Sequence, residues 1–282
     1  MKTMTIDMKK YSNAGFTLVE LIVVIVVTGI IAGGVALFIR SPVQGYVDLV
    51  RRAELVDVAD IALRRIGRDV RLALPNSVRV SADTLAIEFL EAPAGGRYRT
   101  VPDGGADELR FDQSDASFDV LGPPVMLTAG NEIVVFNLGV PGASAYEGNT
   151  ANTHVRRAYT GVTGPVTNIA INSPARFPLA SPNARFHVVQ GPVSYICDPV
   201  AGEMKRYWGY AIQPSQPATI AALNALPGVV SALISKNVSA CAFSYDVNVV
   251  AQRAGLVTMR LAITQENETV SLYHATHVSN IP

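Results

Sequence analysis

The sequence predicts an α+β fold, and three observations carry that reading. A long, mostly apolar run occupies residues 16 to 39. A helix-period pattern of apolar residues, arginines and acids follows it. Beyond residue 74 the chain changes to short apolar stretches separated by Gly, Pro, Asn and Asp, as strands and turns require. The expected architecture is one β-rich domain hung on one long N-terminal helix.

Composition narrows the function classes. The chain has 282 residues, with 23 basic and 23 acidic side chains and a formal net charge of +0. That balance excludes a broadly basic nucleic-acid binder and an acidic-tail protein. Charged residues make up 16%, below the roughly 25% of typical soluble domains, so the apolar residues have to be located. Of the 24 residues from 16 to 39, 18 are hydrophobic, and no charge occurs from 21 to 39. Outside that run the apolar fraction falls to roughly 46%, ordinary for a globular domain. Two cysteines exclude a disulfide-dense scaffold and a four-cysteine zinc site.

As a helix, residues 16 to 39 span about 36 Å, enough for a hydrocarbon core of about 30 Å. The run therefore reads as a transmembrane helix. Lys2, Lys9 and Lys10 precede it against one acid, Asp7, which predicts a cytoplasmic N-terminus. Everything after Arg40 is then exported, with Arg40 snorkelling at the far interface. The run is too long for an ordinary signal peptide, although Gly34-Val35-Ala36 has the form of a weak cleavage site. Glu20 is the odd residue, because an acid inside a bilayer costs a few kcal/mol and calls for a named partner. If the chain is cut between Gly15 and Phe16, a cationic α-amine appears four residues from Glu20, on the same subunit or a neighbour. The alternative places Glu20 at headgroup level, where the helix dipole also favours it.

Gly15-Phe16-Thr17-Leu18-Val19-Glu20, after a short basic leader and before an apolar helix, resembles the class III signal of type IV pilins and type II secretion pseudopilins. The resemblance implies that prepilin peptidase cuts after Gly15 and N-methylates Phe16. It implies a filament-core helix, with Glu20 meeting the Phe16 amine during assembly. It also implies a pilin-like fold, in which a helical spine packs on an antiparallel β-sheet. The partners implied are other major and minor pilins and the inner-membrane assembly machinery. The division is then leader 1–15, transmembrane and filament-core helix 16–40, amphipathic continuation 41–75 and β-rich domain 76–282. The site is the inner membrane, single-pass, with the domain periplasmic and later in an extracellular pilus.

In the amphipathic part, Gly33-Gly34 and Pro42 are expected to weaken or kink the helix. Val43, Tyr46, Val47, Val50, Val58, Ile61, Ile66 and Val70 mark its apolar stripe. Arg51, Arg52, Arg64, Arg65, Arg68 and Arg71 read as a solvated face matched by nearby acids rather than a nucleic-acid surface. Pro75-Asn76 ends the helix, giving about 88 Å from Phe16 to Leu74. Strands are expected at 85–90, 133–138, 185–197 and 205–212, the last two flanking a turn at 198–202. Three more, at 242–250, 256–264 and 269–278, form a meander. Residues 139–182 read mainly as surface loops, and 218–233 could hold a short helix.

Narrower resemblances lie in scattered blocks. Ala62-Leu63-Arg64-Arg65-Ile66-Gly67-Arg68-Asp69-Val70-Arg71 is similar to the helix of J-type minor pseudopilins. Pro42-Val43-Gln44-Gly45-Tyr46 is similar to the O-type minor pilins of MSHA pilus systems. So is Gly191-Pro192-Val193-Ser194-Tyr195-Ile196-Cys197-Asp198, with Arg206 and Gly209-Tyr210. These imply a low-copy subunit in the assembly or priming of an MSHA-type pilus. The alternatives are a J-type pseudopilin of a type II secretion system, or a tip adhesin using the 139–182 loops. Cys197 and Cys241 read as a disulfide in an oxidising compartment, the alternative being two buried thiols. His274 and His277 point to opposite sides of a strand, and the acids from Asp103 to Asp119 read as a solvated loop, so no metal is expected. With no P-loop, dinucleotide fingerprint or serine-hydrolase elbow, neither cofactor nor enzyme activity is expected.

Overall fold

The computed structural model describes residues 15–250 and 254–282. The leader lysines Lys2, Lys9 and Lys10 lie outside the described residues. The elements, in chain order, are α1 (Leu18–Val70), β1 (Arg79–Val80), β2 (Ala86–Glu91), β3 (Ala94–Tyr98), β4 (Asp115–Leu121), β5 (Val125–Leu127), β6 (Glu132–Val134), β7 (Arg156–Ala158), β8 (Gly164–Val166), β9 (Asn168–Ala175), β10 (Arg185–Val189), β11 (Gly191–Asp198), β12 (Glu203–Trp208), α2 (Ile220–Asn224), β13 (Val230–Lys236), β14 (Val238–Val250), β15 (Ala254–Gln265) and β16 (Glu268–Ser279). A long N-terminal helix followed by antiparallel sheets is the α+β, pilin-like arrangement that the sequence predicts. The chain divides into two compact units, one ending at Arg51 and the other beginning at Arg52.

In the first unit α1 runs unbroken through Gly33, Gly34 and Pro42, in keeping with the continuous helix expected from the sequence. A proline inside a helix removes one N–H, and the neighbouring bonds hold the remaining turns. Thr28 returns its hydroxyl to the Val24 carbonyl at 2.5 Å, which satisfies a polar group on an apolar helix.

In the second unit the helix packs through Leu55, Ala59, Ala62, Leu63, Ile66 and Val70, all buried. This corrects the stripe read from the sequence, because Val58 and Ile61 are exposed. Ala59, Ala62 and Gly67 let the backbone approach the sheets, Ile66 and Val70 of the expected stripe are buried beside them, and Val58 and Ile61 are left on the flanks. A Cβ at Gly67 would sit 2.8 Å from His274 Nε2, closer than packing permits. The helix ends at Val70, four residues before the expected stop. Leu72 and Ala73 N–H donate to the Asp69 and Val70 carbonyls in a tightened last turn. Leu74 N–H then donates to Leu90 O, and Ala92 N–H to Leu72 O, so pairing with β2 ends the helix before Pro75 does.

Among the described residues the strands form a five-stranded sheet (β1-β2-β11-β12-β13), a six-stranded sheet (β7-β6-β10-β3-β4-β9), the meander β14-β15-β16 and a β5-β8 pair. The hairpin β11–β12 and the meander are where the sequence places them. The expected strand at 185–197 is in fact two strands in different sheets. Gln190 and Gly191 form the switch, with Gly191 at φ +147°, where glycine is favoured. The expected strand at 133–138 stops at Val134, and Asn137 instead bridges loops. Its amide donates to Pro75 O at 2.6 Å and its carbonyl accepts from Ala145 N at 2.9 Å. The 139–182 stretch is mainly irregular, as expected, but it also contributes β7, β8 and β9. The six-stranded sheet also closes on itself, as Tyr159 bridges to Ile171 and Thr160 N–H donates to Ala170 O. Tyr98, Phe118 and Phe186 fill the inside as edge-on rings.

Cys197 at the end of β11 and Cys241 in β14 form a disulfide across 44 residues of sequence. It joins the five-stranded sheet to the meander within the cluster that also packs α1. Glu88, fully buried on β2, accepts from Arg79 Nη2 at 2.8 Å and from Ser194 Oγ at 3.4 Å. Burial pushes its carboxyl up to about 7, with Arg79 opposing the shift.

Two outcomes follow. Reducing Cys197–Cys241, or replacing both by serine, is expected to cost about 4 kcal/mol in denaturant titration, and the reductant should not affect the serine variant. For Glu88 the folded pKa lies above the unfolded value, so its contribution is full below about pH 4.5 and lost as pH rises through about 7. Thermal melts across that window should show the parent losing stability relative to Glu88→Gln.

Candidate assembly site

Gly15, Phe16 and Thr17 precede the first helical residue, Leu18, and have no regular structure. The Gly15–Phe16 peptide bond therefore lies in irregular backbone that a peptidase can take in extended form. A Cβ at Gly15 would meet nothing within 4 Å, so packing within the chain does not require a glycine there. Phe16 is 84% exposed.

Thr17 and Glu20 form a reciprocal cap. Glu20 N–H donates to Thr17 Oγ1 at 3.3 Å, and Thr17 N–H donates to Glu20 Oε2 at 3.4 Å. Thr17 thus stands at the N-cap and Glu20 at the third helical position, the Thr-x-x-Glu capping box. The bonds are long, so the carboxylate is aimed at the helix start but only weakly held. The Thr17–Glu20 spacing was the available signal for this cap, and the dipole argument alone did not use it.

Behind the cap, the apolar side chains from Leu18 to Val35 are exposed on every side of the helix. Among the described residues α1 is the one helix long and apolar enough to cross a membrane.

The other candidates fall elsewhere. His274 packs toward Gly67 from β16, while His277 faces solvent. The acidic stretch is more ordered than a solvated loop. Asn168 donates to both Asp107 (3.1 Å) and Asp119 (3.0 Å), and Asp119 accepts from Asp107 N–H. Among the described residues no three His, Cys, Asp or Glu are grouped to hold a metal ion. The matching of arginines by acids holds for Arg51 with Asp48 and for Arg64 with Asp60. It does not extend to Arg65 and Arg68, whose guanidinium groups have no ion-pair partner among the described residues. The acid that follows Arg68 in sequence, Asp69, turns inward. It accepts from Tyr195 OH at 2.6 Å and Arg206 Nε at 2.8 Å. Burial and the Asp69 carboxylate both raise the Tyr195 phenol. The blocks 62–71, 191–198 and Arg206, far apart in sequence, thus meet at Asp69.

Residues 10–36 match the family model described as the prokaryotic N-terminal methylation motif. No curated protein and no solved structure matches the chain. The motif supports the type IV pilin and pseudopilin family, with a prepilin leader and membrane anchoring through a single apolar helix.

Proposed function

We propose that this chain is a minor pilin taking part in the assembly or priming of an MSHA-type type IV pilus. One observation carries the reading: a bare apolar helix starts two residues after an accessible Gly15–Phe16 bond, with its only early charge, Glu20, on the first turn. Prepilin peptidase would cut that bond and methylate Phe16. The new amine lies close to a carboxylate held only by long capping bonds, so Glu20 can exchange Thr17 for an amine on its own subunit or a neighbour. In low dielectric that pairing offsets much of the desolvation penalty of both charges.

The leader lysines support a cytoplasmic N-terminus and an exported domain. An intact Cys197–Cys241 disulfide accords with an oxidising compartment. Removing residues 1–15 leaves 20 basic and 22 acidic side chains. In this reading the role is structural and calls for no catalysis. The O-type resemblance of the block 191–198 and of Arg206 is what favours the MSHA assignment over the J-type one. Loss of MSHA pili on deletion would keep it, and loss of secretion instead would move the chain to the J-type pseudopilins.

N-terminal mass spectrometry of the mature chain should find methyl-Phe16. A start near Leu37, or an uncut chain, would sink the processing step. Two variants separate the cap from the charge. Thr17→Ala loses the cap, about 1 kcal/mol, but keeps the carboxylate, so pili should form. Glu20→Val should be processed normally and leave no pili.

A further inference from the structure

The meander ends in β16, a 12-residue strand that pairs with β15 along its whole length and lies at the sheet edge. Among the described residues nothing pairs with its other side. Proteins normally guard such an edge with lysine, proline or a bulge. Here Glu268 is the only charge, and it is engaged by Arg52 at 3.7 Å. Strand and helix run in the same direction: Arg52 meets Glu268, Gly67 meets His274, and Arg71 Nε donates to Thr276 Oγ1 at 3.0 Å. The lengths agree, about 22 Å of helix from Arg52 to Gly67 against about 20 Å of strand from Glu268 to His274.

A groove of about 780 Å³ opens along this helix–strand seam, lined by Asp60, Arg64, Arg65, Arg68, Arg71 and His274 among others. Four guanidinium groups therefore flank it against one carboxylate. Arg64 is taken by Asp60 and Arg71 bonds Thr276, which leaves Arg65 and Arg68 for an external anion. Midway along the strand Tyr273 is 67% exposed. An open hydrogen-bonding edge and an unmatched row of cations lie side by side.

We infer that β16 and the Arg65/Arg68 flank of α1 form one docking site for an acidic, extended segment of a partner protein, which adds to the meander as a fourth strand. A strand added there would lie about 4.8 Å outside β16. Its backbone would satisfy the free edge, and alternate side chains would face the arginines. A lone phosphate uses the arginines but not the edge, and an uncharged strand uses the edge but not the arginines. The inference goes beyond the filament role and is tested on the purified chain, so it stands or falls separately from processing and piliation.

The test uses the full-length chain in detergent micelles and a dye-labelled peptide alternating glutamate and threonine. Fluorescence anisotropy should show binding that weakens with salt, and hydrogen exchange should slow at alternate amides of residues 268–279. Arg65→Glu with Arg68→Glu, both on the exposed helix flank, should weaken binding by about ten-fold or more and favour a lysine–threonine peptide instead. No binding of the acidic peptide, binding without added protection in β16, or equal affinity for the charge-reversed variant would each overturn the proposal. Inorganic polyphosphate binding while the peptide leaves β16 unprotected would mark a plain polyanion surface, with the same consequence.

Discussion

The structure depends on a helix whose first half has no polar side. From Leu18 to Val35 its apolar side chains are exposed, and no described residue covers them. Burying each Val, Ile or Leu side chain is worth about 1.5–3 kcal/mol, so this surface has to be covered by lipid tails or by neighbouring helices. Both environments are dry. A polar group placed there has to be satisfied locally, which is what Thr28 does with Val24 O and Thr17 with Glu20. Glu20 is the exception with consequences, because a carboxylate holding only weak capping bonds can still accept a stronger partner.

The second half of α1 meets a different solvent and solves a different problem. Its buried positions mix small residues, Ala59 and Ala62, with Leu55, Leu63, Ile66 and Val70, and its polar positions divide into two groups. Asp69 turns inward to Tyr195 and Arg206 and fixes the helix end to the five-stranded sheet. Removing it would leave a half-buried guanidinium short of its main acceptor, a larger loss than any surface ion pair supplies. Arg65 and Arg68 remain outward along a groove. The same short block thus contains a structural anchor and an unused pair of charges, and only packing distinguishes them.

Much of this plan could be read in the residues. The apolar run, the Gly15-Phe16 junction and Glu20 are local signals, carried by adjacent side chains. The meander was legible because short polar turns join alternating strands, as was the β11–β12 hairpin. The closed six-stranded sheet was not legible. Its edges meet through Tyr159 and Ile171, and the strands between them are short pieces collected from residues 94 to 175 and from β10. Asn137 shows the same limit. A sequence of strand-forming residues continues to Leu138, but a buried amide that bridges two loops outweighs that preference.

The sequence alone determined the leader signal, the membrane-compatible helix and the α+β class, because each rests on composition and spacing within one stretch of chain. Tertiary structure decided the rest. It turned Leu55, Ala59, Ala62, Leu63, Ile66 and Val70 inward and left Val58 and Ile61 exposed, since the sheets decide which side of the helix is covered. It ended the helix at Val70 by pairing the next residues with β2. It also separated Asp69 from Arg65, which helical spacing alone would have matched. The physical reason is common to all three: a side chain's burial and partner depend on what the remote chain brings against it, and spacing records only what lies nearby.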